Sequence, residues 1–238
     1  NNLPVGMIIG MEGADSITDP DQLYEWYDEG LRLISLSHYG VSNYSHGTGT
    51  GTDGGLVGKG KELLMEMDKL NMILDVSHTS DESVKQELEI FEGPIIATHQ
   101  NCRSVAPGER QFPDHQLKSV IDRGGVIGHS MDTFMMWKTE IDWSDIPLPR
   151  PFPKDEVTLE DFVDHIDHVC QLSGNSLHSA IGGDTDGQGG MVGAPKEVDT
   201  VLDYQKIITL LQKRGYKHSD IENIFYKNWQ RFFEANLP

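Results

Sequence analysis

The sequence predicts an α/β fold in which parallel strands are covered by helices, and three observations predict it. Six short runs rich in Ile and Val alternate with longer segments of helical spacing. The runs are almost continuously apolar, the pattern of strands covered on both faces. No Pro- or Ser-rich linker divides the 238 residues, so residues 1–238 are expected to form one domain. Repeated strand–helix units with right-handed crossovers give either an open doubly wound sheet or a barrel.

The expected strands are Val5–Glu12, Leu31–His38, Met72–His78, Pro94–His99, Gly125–Ser130 and Ala180–Asp186. The first helix, Asp21–Glu29, follows a Thr18-Asp19-Pro20 start signal. Leu56–Leu70 carries Leu63, Leu64, Met67 and Leu70 at helical spacing. Asp81–Phe91 follows Thr79 and Ser80, both able to cap a helix. Pro113–Arg123 begins with a proline, which suits a first helical turn. Leu159–Leu172 is amphipathic, and two more helices are expected at Asp199–Arg214 and Ser219–Ala235. Asp142–Pro153 reads as a proline-punctuated loop inside one unit.

The strand ends carry the chemistry. The six runs close on Glu12, His38, His78, His99, His129 and the pair Asp184 and Asp186. Carboxyl ends of parallel strands share one face, where barrel enzymes place their reactive groups. Gathering several ionisable groups there costs several kcal/mol unless something compensates, as a divalent cation would. Imidazoles with a carboxylate are the usual zinc set, leaving a position for water.

Composition narrows the partners. The formal net charge is −19, with 38 acidic against 19 basic residues, which argues against nucleic acid and against an anionic membrane surface. No apolar run approaches the ~18 residues of a membrane span. Asn1-Asn2-Leu3-Pro4 does not read as a signal peptide, and a processed start would look the same, so the compartment stays open between cytoplasmic and exported. Cys102 and Cys170 fit no zinc-knuckle or redox spacing and are expected as thiols. Gly49-Thr50-Gly51-Thr52-Asp53-Gly54 matches GxGxxG but sits in a glycine-rich loop, not after a strand. Trp229, Phe232 and Phe233 lie at helical spacing and read as packing.

With these residues in view, a family resemblance emerges. Leu74-Asp75-Val76-Ser77-His78-Thr79-Ser80 resembles the segment ending in "DLSHVS" of the membrane (renal) dipeptidase family, peptidase family M19. Ile95-Ile96-Ala97-Thr98-His99-Gln100-Asn101 resembles its "SHSN" strand, Gly108-Glu109-Arg110-Gln111-Phe112-Pro113-Asp114 its "RN-x-x-D" segment, and Gly182-Gly183-Asp184-Thr185-Asp186-Gly187 its "GSDFDG". The resemblance runs over almost the whole chain in the same order. It implies a TIM-type (β/α) barrel of the metal-dependent amidohydrolase kind. It also implies zinc-dependent hydrolysis of dipeptides, a metal-activated water attacking the amide carbonyl.

The resemblance implies roles by position. Glu12, His78 and His99 would be metal ligands, Glu12 bridging two zinc ions in the family pattern. His38 would lie at the scissile carbonyl and contact substrate, Arg110 would bind the substrate carboxylate, and Asp184 would act as general base. His129 matches no ligand of the pattern and reads as a rim residue, and Asp186 as loop support. Asp75, three residues before His78, is expected to face away from the pocket.

Two departures stand out. No His-x-Asp pair precedes Glu12, and six strands are visible where a closed barrel needs eight, so the first two strand–helix units of the family pattern are expected to be missing from this chain. Glu12, His78 and His99 alone would hold one zinc ion. Gln111 stands where the pattern has Asn. Three functions therefore stay in view: a dipeptidase, a related amidohydrolase acting on N-acyl amino acids or lactams, and a non-catalytic remnant. Exposed edges at Val5–Glu12 and Ala180–Asp186 would favour a homo-oligomer.

Overall fold

The computed structural model describes residues 6–49, 51, 54–139, 156–185 and 193–237. Val5, the 142–153 loop and Asp186 lie outside the described residues. The chain clusters into two compact units, residues 1–96 with the last three residues, and residues 97–235.

The first unit holds strands β1 (Ile9–Glu12), β2 (Leu31–Ser35), β3 (Ile73–Asp75) and β4 (Ile95–Ile96), all parallel and in sequential order. Helices α1 (Leu23–Asp28), α2 (Gly60–Lys69) and α3 (Asp81–Ile90) connect them. Asp19 caps a short 3-10 turn, Pro20–Gln22, that leads into α1. Leu63, Leu64 and Met67 are the buried face of α2, as their spacing requires. The helix starts four residues later than expected because Leu56 is used in an antiparallel bridge to Ser45. Ser80 caps α3 by accepting the Ser83 N–H, with Asp81 and Glu82 favourably placed in its first turn. One expectation is corrected: β1 is not covered on both faces. It pairs with β2, its residues are mostly exposed, and Ile9 is 43% accessible.

In the second unit β5 (Ile127–Ser130) and β6 (Ser179–Gly183) pair in parallel, and Ala97 bridges in parallel to Ile127. Around them are α4 (Asp114–Asp122), α5 (Leu159–Ser173), α6 (Lys206–Lys213), α7 (His218–Glu222) and α8 (Asn228–Asn236). Pro113 takes the cap position just ahead of α4. A Thr158–Asp161 capping box opens α5, and Gly174 in the left-handed region closes it. Phe162, Val163 and Ile166 of α5 pack with Ile207, Leu211 and Ile224 in one core. The expected last helix is interrupted: Asn223–Lys227, between α7 and α8, is a π-turn. Beyond it Asn228 donates to the carbonyls of Ser176 and Ser179 (2.7 and 2.8 Å), and the Trp229 indole donates to Ile181 O (3.0 Å). Trp229 stacks on Phe233, which meets Phe232 edge-on, so this trio is packing.

The result is an α/β fold with parallel sheets, all six expected strands being present in order and shorter than expected. Cys102 and Cys170 are buried thiols. Among the described residues no helix is long and apolar enough to cross a membrane.

Candidate functional site

In the first unit, three strand ends deliver Glu12, His38 and His78 to one place. Glu12 is the last residue of β1 and registers with Ser35 of β2, whose hydroxyl takes the Gly13 N–H at 3.0 Å. His38 and His78 each follow three residues after β2 and β3. Glu12 Oε1 lies 3.2 Å from His78 Nε2 and 3.9 Å from His38 Nε2, and the two imidazole centroids are 4.2 Å apart. Glu12 and His38 are about half exposed, whereas His78 is buried. The Tyr39 ring stands edge-on to both imidazoles, at 4.9 Å from His38 and 4.8 Å from His78.

A strap from Tyr39 to Thr48 holds these groups. Tyr39 bridges to Thr48 and Gly47 to Thr79, while Thr48 N–H donates to His78 O at 2.8 Å and Ser80 N–H to His46 O at 3.1 Å. Gly47 lies so close to the His38 carbonyl oxygen that a Cβ there would overlap it. His78 has φ +65, a left-handed conformation that costs a non-glycine residue roughly 1–2 kcal/mol and marks functional sites more often than ordinary loops.

In the second unit the Thr98 hydroxyl lies 2.8 Å from His99 Nδ1, fixing that ring, and His99 is buried. The Arg110 guanidinium, 2% exposed, donates from Nη2 to His99 O (3.0 Å) and from Nη1 to Gln100 Oε1 (2.6 Å). Asp184 follows β6, accepts from the Ser130 hydroxyl at 3.1 Å, and also has a left-handed backbone, φ +61. The expectation for His129 is corrected: it is not on a rim but fully buried in β5. Its Nδ1 contacts Gln100 O and its Nε2 the Ser179 hydroxyl, and burial pushes its pKa down to about 3. Asp75 is buried and accepts the Ser77 N–H. Gln111 donates to Met135 O at 3.3 Å.

Of the residues singled out from sequence, Glu12, His38 and His78 thus form one cluster, and Arg110 sits on the main chain of His99. Tyr39 and Gln100 were missed. The only signal for Tyr39 is its place next to His38, and for Gln100 its place next to His99.

Known proteins match this chain in sequence and in fold. The family model described as Membrane dipeptidase (Peptidase family M19) matches residues 1–236. A dipeptidase of Clonostachys rogersoniana is 30% identical over 234 residues, 97% of this chain and 55% of that protein. Dipeptidase 3 of Mus musculus is 27% identical over 241 residues, 98% of this chain and 45% of its own length. The chain spans about half the length of these curated relatives. Two crystal structures share the fold with a TM-score of 0.79. One is a Rhodobacter sphaeroides metallo peptidase liganded with a phosphinate mimic of the dipeptide L-Ala-D-Ala, 24% identical, with 96% of this chain and 63% of that chain covered. The other is a probable dipeptidase of Pseudomonas aeruginosa, 21% identical, with 95% and 68% covered. Matched by one family model from its first residue to its 236th, the chain belongs to the membrane dipeptidase family, peptidase family M19.

Proposed function

We propose that this chain carries the site of a zinc-dependent dipeptidase, in which a metal-activated water attacks the amide carbonyl of a dipeptide. The observation that carries the reading is the approach of Glu12 Oε1 to His78 Nε2 at 3.2 Å, at the ends of two parallel strands of a family M19 chain. Two imidazoles and a carboxylate are donors that zinc accepts, and Glu12, His78 and His99 would supply them. A bound zinc ion polarises a carbonyl and lowers the pKa of water.

The remaining roles fall to residues of the chain. His38, half exposed beside Glu12, is placed to donate a hydrogen bond to the oxygen of the reacting carbonyl. Asp184, with one oxygen held by Ser130, takes the proton as general base. Arg110 attracts the substrate's carboxylate, for which its planar fork is shaped. The unbroken family match supports treating residues 1–238 as one functional domain, and the parallel pairings support strands of a TIM-type barrel.

The test is metal content by elemental analysis after chelator-free purification, beside a His78→Ala/His99→Ala double variant. Binding of about one or two zinc ions per chain, lost in the variant, is expected, with turnover of a dipeptide panel. Metal without dipeptide turnover, but with turnover of N-acyl amino acids or lactams, redirects the reading to that activity. No metal after zinc is added back leaves a non-catalytic remnant.

A further inference from the structure

Arg110 is a buried cation held only by neutral partners. Its Nη1 reaches Gln100 Oε1 and its Nη2 reaches His99 O, while its buried Nε makes no hydrogen bond. Among the described residues no carboxylate forms an ion pair with it. Uncompensated buried charge is costly, several kcal/mol for an ion with no partner, so the arrangement is built for an anion that arrives from outside.

Gln100 grips this arginine at both ends. Its Oε1 accepts from the guanidinium at 2.6 Å, and its Nε2 donates to the Arg110 main-chain carbonyl at 2.7 Å. Gln100 is itself fully buried and fixed from below. Its N–H donates to Gly128 O at 2.6 Å, and its carbonyl accepts from His129 Nδ1 at 3.1 Å. That bond sets the His129 tautomer, leaving Nε2 to accept from Ser179 at 3.0 Å. A chain of hydrogen bonds therefore runs from β6 through His129 and Gln100 to the guanidinium.

We propose that Gln100 is a positioning residue that orients the Arg110 guanidinium for the substrate carboxylate without spending its charge. This rests on the role given to Arg110 under the proposed function. A carboxylate at position 100 would hold the arginine equally well but neutralise it. A neutral amide fixes its plane and leaves the charge for the ligand.

The experiment follows the Arg110 Nε–H resonance in the arginine-labelled full chain, assigned with Arg110→Lys, during titration with propionate and with propionamide as neutral control. The wild type is expected to respond saturably to propionate alone. Gln100→Ala should weaken that response about tenfold through lost positioning, and Gln100→Glu, of the same size, at least as much through charge neutralisation. In dipeptide kinetics the same variants should raise KM about tenfold with kcat nearly unchanged, an effect absent for the dipeptide amide. If Gln100→Ala does not fold, Gln100→Glu decides. A folded variant that binds propionate as the wild type does overturns the proposal, as does a wild type whose Arg110 ignores propionate. Propionate binding with no dipeptide turnover in the wild type supports the proposal and sinks the dipeptidase reading alone.

Discussion

Glu87 shows at the scale of one residue how burial sets protonation. It lies on α3 with no solvent contact, and desolvation, then the nearby charge of Asp75, pushes its pKa well above the usual carboxylate range. Its folded pKa exceeds its unfolded one, so its contribution to stability is complete below about pH 4.5 and is lost as pH rises toward the folded value. Glu87→Gln should therefore raise Tm at pH 7–8 by about 2–4 °C, on the order of 1 kcal/mol, and change little at pH 4. Equal shifts at both pH values in a thermal melt would contradict this. Sequence spacing could not show it, because a Glu on a surface helix pattern reads as solvated. The same blindness affects His129, which in sequence is one more strand-end imidazole and in the fold is tied to Gln100 and Ser179. Glu12, His38 and His78 were legible because each ends an apolar run, a pattern that survives without knowledge of any contact.

At the scale of elements, the strap Tyr39–Thr48 depends on two glycines for different reasons. Gly47 needs space, since a Cβ would overlap the His38 carbonyl, whereas Gly40 has φ +85 with nothing within 4 Å of an added Cβ. Gly40→Ala should cost only its left-handed backbone, about 1–2 kcal/mol. Gly47→Ala should cost more, roughly 2–4 kcal/mol, because the strap must leave His38 and His78. Urea unfolding of both variants decides this, and an equal or smaller loss for Gly47→Ala removes the close-approach argument. The order of strands and helices was readable from apolar periodicity, which needs no tertiary knowledge. Their ends were not: Leu56 fits a helix pattern, yet its backbone is claimed by a bridge to Ser45.

For the whole molecule, the exposed residues of β1 are the feature that charge does not protect. Ile9 is 43% and Met7 84% accessible on a chain of net charge −19. Exposed strands invite pairing unless a charge blocks them. Sedimentation at rising protein concentration should show self-association that Ile9→Lys reduces, and a monomer at all concentrations would dispose of the idea. The acidic excess and the lack of a basic run are plain in composition, and charge alone argues against nucleic acid as a partner.

The π-turn at Asn223–Lys227 has a further consequence, one of ancestry. A wide turn of this kind holds one residue more than the α-helical turn it replaces, so it is the footprint of a single-residue insertion. Everything after it is rotated by roughly 100° relative to an uninterrupted helix. That rotation is what brings Asn228 and Trp229 onto the carbonyls of Ser176, Ser179 and Ile181. Relatives of this chain without the insertion would have to hold the same strand by other residues, and a shortened turn in an alignment should travel with changes at positions 228 and 229.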